Sequence, residues 1–292
     1  MYPAVIGDYV VPATVDEALK AWAGADGDAY FIAGGLSLMQ AIKTRLVKPD
    51  CLIDLARVGE LNGVRVDGDG VHVGPMTRYR DIAGDSQLDG AYQALRDAAA
   101  RVGDRQVRNR GTIGGSLCWN FIAACMPPVV IGLGAQITLA SSDGGRRSMA
   151  AEEFIQGPLE TAREDNELVV AIDLPPAPSN AGSAYKKWGL VTDALPVIGV
   201  CAYVEVDGSG ACTSARLAVG GLETGPRRSA AGEAALAGKS AGDADAIAAA
   251  LKAAADEIDT QGDMWADSDY RKMLIGDLGR EVVATAFARA TA

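Results

Sequence analysis

Two glycine-bearing junctions limit how this chain can fold more than any other feature. The first is FIAGGLSLMQ, residues 31–40, and the second is RNRGTIGGS, residues 108–116. At the first, a β-rich run, DAYFIA, enters Gly34-Gly35, and a helical pattern, SLMQAIKTRL, leaves with Ser37 near its start. Strand, glycine turn and helix in that order read as an α/β unit. Glycine permits both the dihedrals of such a turn and the close approach of a ligand. Backbone N–H groups at the start of a helix can face a phosphate, helped by the helix dipole. The second junction adds the hydroxyls of Thr112 and Ser116 and the nearby Arg101, Arg105, Arg108 and Arg110. Together the two have the chemistry to grip a pyrophosphate from two sides. Neither is a G-x-G-x-x-G fingerprint or a G-x-x-x-x-G-K-[ST] loop, which disfavours Rossmann-type NAD binding and P-loop nucleotide hydrolysis. Singly, each is more often an ordinary turn; paired in one chain they point to a bound nucleotide without identifying it.

The remaining pattern is α+β. TVDEALKAWAG reads as a helix with Thr14 as N-cap, Glu17 completing a capping box and Gly24 ending it. CLIDL is a short strand, and GVRVDGDGVHVG is a hairpin around Asp67-Gly68-Asp69-Gly70. MTRYRDIAG offers a short helix capped by Thr77. LDGAYQALRDAAARVG offers a longer one with Leu88, Tyr92, Leu95 and Ala99 on one face. PPVVIGLGAQITLA reads as a proline-led helix passing into a strand, and ELVVAIDLP as a strand. PPAPSNAGS, residues 175–183, is the linker candidate. Beyond it lie three strands, the last two joined by Asp207-Gly208-Ser209-Gly210, and then alanine-rich helices.

Composition excludes several classes. No apolar run approaches the roughly 18–20 residues that span a bilayer. The first residues lack a basic segment leading into an apolar one, so a cytoplasmic setting is the expectation. The formal charge is −11, which argues against nucleic acid as a partner. The arginine cluster therefore needs a local reason, such as a bound anion. The five cysteines form no CxxC and match no zinc or iron–sulfur spacing, so most of them read as buried, reduced thiols. His72, the one histidine, falls in strand alternation and reads as structural; no metal site is expected.

On these residues the chain resembles the FAD-binding medium subunit of the molybdenum hydroxylases, the family of carbon monoxide dehydrogenase, quinoline-type oxidoreductases and the flavin domain of xanthine dehydrogenase. AGGLSLMQAIKTRLVKPDCLIDL is similar to the family's first flavin loop with its following helix and strand. VRNRGTIGGSLCWN is similar to its second loop. YVVPATVDEAL resembles its N-terminal helix entry, and FIQGPLETAREDNELVVAIDLP the end of its flavin-binding part. SAYKKWGLVTDALPVIGVCAYV and ADSDYRKMLIGDLGREVV resemble the start and the closing helix of its C-terminal domain.

The resemblance implies a two-lobed FAD-binding domain of the vanillyl-alcohol-oxidase (PCMH) type over residues 1–177, with subdomains of about 1–58 and 59–177. A smaller C-terminal α/β domain, residues 178–292, would carry a three-stranded antiparallel sheet and helices. It also implies FAD contacts. Phe31, Ile32, Ala33, Gly34, Gly35, Leu36, Ser37 and Leu38 would form the first pyrophosphate loop. Gly111, Thr112, Ile113, Gly114, Gly115 and Ser116 would form the second. Val102 would approach the flavin or its ribityl chain, Val169 would make a backbone contact, and Lys187 would lie close to the flavin ring. Leu36 replaces a commonly polar residue, and Cys125 stands where relatives often carry an aspartate that bonds the ribityl hydroxyls. The implied partners are a large molybdopterin subunit and a small subunit with two iron–sulfur clusters, in a dimer of heterotrimers. Three functions stay open at this point: an electron-transfer flavoprotein subunit, a self-sufficient flavin-dependent oxidoreductase, and a flavin-poor assembly or scaffold subunit.

Overall fold

The computed structural model describes residues 5–292; residues 1–4 of the expected first subdomain lie outside the described residues. The first lobe contains β1 (Asp8–Val10), α1 (Val15–Ala23), β2 (Ala29–Ile32), α2 (Leu38–Lys43) and β3 (Cys51–Asp54). Its strands form a parallel sheet in the order β1-β3-β2. Period-two alternation in β3 assigns its faces. Cys51 and Ile53 pack with Val15, Ala18 and Leu19 of α1, while Leu52 packs with Ile42 of α2 on the other side. Thr14 caps α1 by accepting from Glu17 N at 3.1 Å. The Glu17 carboxylate returns to Ala13 N, one residue before the cap, at 2.8 Å.

The second lobe runs through β4 (Val64–Asp67), β5 (Gly70–Val73), α3 (Tyr79–Gly84), α4 (Gln93–Arg101), α5 (Arg105–Arg110), α6 (Ile113–Trp119) and α7 (Met126–Gly132). It continues with β6 (Gln136–Ser141), β7 (Arg146–Ala150), α8 (Ala151–Phe154), β8 (Ile155–Gly157), β9 (Glu160–Thr161) and β10 (Glu167–Leu174). The sheet order β4-β5-β10-β6-β7 places β10 at the centre. Its Val169, Ile172 and Leu174 join Val71, Val73, Ile137 and Leu139 in one core under α4, α6 and α7. Two sequence expectations need correcting. Thr77 does not cap α3; Arg78 precedes the helix, and the Thr77 hydroxyl instead accepts from Gly63 N at 2.9 Å, tying down the hairpin's entry. The helix expected over residues 88–103 opens with a 3-10 turn, Gly90–Tyr92, before α4 begins.

The C-terminal part holds β11 (Ala181–Trp188), β12 (Ile198–Val206), β13 (Cys212–Gly220), β14 (Arg227–Arg228), α9 (Ala230–Leu236), α10 (Ala244–Glu257) and α11 (Ser268–Ala290). β11 begins inside the linker candidate, so the connection itself is residues 175–180. The sheet has four strands rather than three, because the two-residue β14 pairs with β13. Both faces of β12 are covered: Cys201 and Tyr203 enter the second-lobe core, while Val200, Ala202 and Val204 face α9, α10 and α11. A staple locks the two parts together. Arg289 donates to Asp97 of α4 at 2.6 Å and to Ser183 O at 2.6 Å, and Ser183 Oγ accepts from Ala94 N at 3.0 Å. No helix among the described residues is long and apolar enough to cross a membrane.

His72 supplies a pH-dependent tie within the central sheet. Its Nδ1 lies 2.7 Å from Asp173 of β10 and its Nε2 3.3 Å from Asp67 of β4. The hydrogen bond to Asp173 raises the imidazole above its ordinary value of 6.5, against partial desolvation. A raised folded-state value stabilises fully below about pH 6.5, and the contribution is lost as pH rises through the raised value. Wild type minus His72→Gln stability, from thermal melts, is therefore expected to be larger at pH 6 than at pH 8.5. An equal difference at both would refute the tie.

Candidate functional site

The two glycine junctions meet backbone to backbone. A Cβ on Gly34 would collide with Arg110 O and stand 3.0 Å from Gly111 Cα, so the bare residue 34 is what lets the first junction close on the second. The Arg110 guanidinium donates to Gly34 O at 3.4 Å. Ala33 faces Gly115, whose Cβ position is 3.6 Å from the Ala33 Cβ. Gly35 takes φ +76°, the left-handed region that a side chain would strain. Phe31 and Ile32 end β2 beneath this turn, and Leu36 is exposed beyond it. Among the described residues, no acceptor faces the N–H groups of Gly34, Gly35, Leu36, Ser37 and Leu38; the first bond of the following turn is Met39 N to Gly35 O at 3.1 Å. Five successive donors thus stay open at one edge.

The second junction differs from the expected loop. It is a helix start: Thr112 is the N-cap of α6, and its Oγ1 accepts from Gly115 N at 3.2 Å. Ile113 N donates to Thr77 O at 3.1 Å, Gly114 N to Pro75 O at 2.8 Å, and Ser116 N to Thr112 O at 3.1 Å. The amides from Ile113 to Ser116 are therefore engaged within the protein. Gly114 is needed for packing, since a Cβ there would overlap Pro75 and lie 2.7 Å from Pro75 O. The open donors belong to the first junction; the second contributes a wall and cations.

Tyr79 carries the site onward, a residue that no motif in the sequence singles out. Its ring covers Gly111, where a Cβ would be 2.9 Å from the ring's Cδ2. Its hydroxyl lies against Ser116, and burial raises it well above the usual phenol value. Cys125 and Tyr185 of β11 pack with it in the second-lobe core. Tyr185 and Lys187 are two apart on one strand, so they share a face. The Tyr185 hydroxyl is buried beside the Cys125 sulfur and has no well-aligned hydrogen-bond partner. Lys187 donates to Ala194 O. Desolvation lowers the ammonium below its ordinary value, and Arg101 and Arg108 add to that, while Cys125 and Asp193 oppose it. Arg108 donates to Val102 O at 3.2 Å, which places Val102 at the same cluster. Of the arginine cluster, Arg110 lies at the first junction and Arg108 on the backbone at Val102.

Val169 sits apart from that cluster but at a break in the ladder. It pairs with Leu139, while Ala171 pairs with Thr138, leaving Val170 as the extra residue of a β-bulge. A bulge leaves backbone groups unpaired. The Val169 side chain enters the second-lobe core with Cys125, while Val170 turns toward Phe31 and Ala33 in the first lobe. The cysteines are all free thiols; burial raises Cys118 to about 11 and Cys125 upward. Among the described residues no group of three His, Cys, Asp or Glu gathers as a metal site.

This donor set fits FAD. A pyrophosphate needs several N–H donors and compensating cations, and both stand at the closed junction. A reducible ring needs a cation and hydrogen-bonding groups, and β11 carries Lys187 and the unpartnered Tyr185 hydroxyl on one face. Comparison with known proteins agrees. Residues 4–177 match the family model of the FAD binding domain in molybdopterin dehydrogenase. Residues 183–286 match the CO dehydrogenase flavoprotein C-terminal domain. The carbon monoxide dehydrogenase medium chain of Hydrogenophaga pseudoflava is 32% identical over 97% of both chains. The glyceraldehyde dehydrogenase medium chain of Sulfolobus acidocaldarius is 32% identical over 94% of this chain and 96% of its own. Among solved structures, quinoline 2-oxidoreductase from Pseudomonas putida 86 superposes with a TM-score of 0.90 at 30% identity, covering 100% of both chains. The chain belongs to the family of FAD-binding medium subunits of the molybdenum-containing dehydrogenases, and is an oxidoreductase flavoprotein subunit.

Proposed function

We propose that this chain is the electron-transfer subunit of a heteromeric molybdenum hydroxylase, taking electrons from a partner's iron–sulfur clusters and delivering them to an external acceptor. The substrate would be handled at the molybdopterin of a large partner subunit, and the clusters would lie in a small one, in a dimer of heterotrimers. A reducing cytoplasmic setting suits the five free thiols. The observation that carries the reading is the row of open N–H groups from Gly34 to Leu38, closed against the arginine-bearing second junction. Bound FAD would supply a carrier that accepts electrons singly and releases them in pairs.

The chain's own residues divide the work. The open amides of Gly34 to Leu38 would hold the pyrophosphate, and Arg110 would offset its charge. Thr112 fixes the start of α6, so that Gly115 and Ser116 wall the site. Val102, the backbone at Val169, Cys125 and Lys187 would complete the contact set. Residues 1–177 would hold the cofactor, and Lys187 of residues 178–292 would lie near its ring.

Native purification tests this directly. The expected result is FAD near one per chain, together with a large molybdenum-containing chain and a small iron–sulfur chain. A chain that purifies alone and oxidises a substrate at its own flavin would overturn the electron-transfer reading.

A further inference from the structure

The helix that walls the closed junction also has an open side. In α6 the buried residues Ile113, Gly114 and Leu117 fall on one face, while Gly115, Ser116, Cys118 and Trp119 stay partly exposed on the other. Gly115 is the point that meets the first junction, its Cβ position standing 3.6 Å from the Ala33 Cβ. Trp119 lies four residues on, so it shares that face about 6 Å further along the axis. Asn120 ends the helix in the left-handed region, at φ 42°. Its carbonyl accepts from Leu159 N at 3.0 Å, and its Nδ2 donates to Gly157 O at 2.6 Å and Glu160 O at 3.0 Å. The Asn120 Oδ1 is buried without a donor. Leu159, third in the turn over residues 157–160, is itself left-handed at φ 59°, where glycine is the usual choice. These costs leave two large apolar side chains in the open at the end of α6: Leu159 is 59% exposed and Phe121 38%. The chain beyond Phe121 is tied to the C-terminal sheet, because Ile122 O accepts from Gly221 N at 3.2 Å. Gly220 pairs with Gly199, and Gly199 with Lys187. Lys187 therefore stands two strand spacings, about 10 Å, across the sheet from this turn.

We propose that Trp119, Phe121 and Leu159 form the apolar seat of the flavin ring, a seat held in place by Asn120. The inference rests on the flavin reading given above. A cofactor whose pyrophosphate is held at the open amides of the first junction can run from there along the free face of α6. Its ring then reaches the end of that helix, with the three side chains on one side and Lys187 across the sheet. The flavin ring is flat, and its faces and dimethylbenzene edge are largely apolar. An indole offers it a stacking partner, and Phe121 and Leu159 offer contact that excludes water. The local costs fit this role. A buried acceptor without a donor and a left-handed leucine persist only where their surroundings enforce them, and such positions gather at ligand clamps. Glycine at position 159 would relieve the backbone and remove the contact.

The test titrates FAD into the full chain freed of its flavin, and reads the dissociation constant beside the thermal midpoint of the flavin-free protein. Trp119→Ala should weaken FAD about tenfold or more, the scale of a lost base–aromatic stack. Its bound flavin should also fluoresce more brightly than in wild type, since a stacked indole quenches the emission. Leu159→Gly should weaken FAD about fivefold through lost apolar contact. Its thermal midpoint should stay at or above the wild-type value, because the left-handed strain is gone. Weaker binding in a chain no less stable is a split that a merely structural role would not produce. Leu159→Gly decides the matter if Trp119→Ala does not fold. Wild-type FAD affinity in both variants would overturn the seat and leave the flavin reading standing. So would a native complex in which Leu159→Gly keeps its FAD but loses a partner chain, because Leu159 would then be a subunit contact. A wild-type chain that binds no FAD at all would overturn both.

Discussion

Gly34→Ala is expected to strip the chain of FAD. The methyl group would collide with Arg110 O and come within 2.9 Å of the Arg110 carbonyl carbon and 3.0 Å of Gly111 Cα. All three are backbone atoms, so no side-chain rotation relieves the clash. The first junction would have to swing off the second and carry the open donors from Gly34 to Leu38 with it. Geometry set by tight packing is lost in steps of about 1–3 kcal/mol when overpacked. Misplacing several charge-assisted bonds to phosphate costs more again. Retention should fall at least tenfold, equivalent to about 1.4 kcal/mol, read as flavin absorbance per chain after gel filtration. Gly35→Ala should also weaken retention, for a different reason, since φ +76° strains any side chain there. Gly59→Ala, with nothing within 4 Å of its Cβ position, is the control and should keep its flavin. Flavin content in Gly34→Ala equal to the control would sink the closed-junction argument. Gly115 is the gentler site: its Cβ would meet a movable atom, Thr112 Oγ1, at 2.8 Å.

The contrast between Gly34 and Gly114 shows where sequence reasoning stopped. The first junction was legible because strand, glycine pair and helix follow one another locally, and the structure repeats that order. The second is expected from the sequence as a glycine-bearing loop, and the structure makes it the start of a helix. Its helix exists because Thr112 caps the first turn and Pro75 offers both a flat packing surface and an acceptor. Pro75 is distant in sequence, so no local pattern reveals it. Tyr79 was invisible for the same reason: its partners Gly111, Ser116 and Cys125 come from the other end of the lobe. The packing of Cys125 with Tyr185 depends on the C-terminal sheet covering the second-lobe core, which spacing cannot express. The two-residue β14 is too short to carry alternation. By contrast, β11, β12, β13 and the long helices were readable, because each repeats its period over many residues.

Arg271→Met is expected to destabilise the chain by about 3 kcal/mol and to loosen the Lys187 end of the site with it. Arg271 is 5% exposed. Its Nη1 donates to Val197 O and Gly221 O, each at 2.6 Å, and its Nη2 to Asp263 at 2.6 Å. Removing a buried, hydrogen-bonded charge leaves carbonyls unpaired and typically costs about 3–5 kcal/mol. Asp263 is 39% exposed and can return to water, which puts the effect at the lower end. Val197 closes the connection that follows β11, because its N–H donates to Trp188 O at 2.8 Å, and Trp188 packs edge-on to Tyr270, one residue from Arg271. That same connection contains Ala194, whose carbonyl anchors Lys187. Loss of the clamp should therefore lower the denaturant midpoint and, in the protein that remains folded, reduce flavin affinity, although Arg271 itself is remote from the glycine junctions. Arg271→Lys should not rescue either property, since an ammonium cannot reproduce the planar fork that reaches three acceptors. Wild-type stability in both variants would mean that the two strand ends are held by β12 and β13 alone, and that Arg271 adds nothing to them.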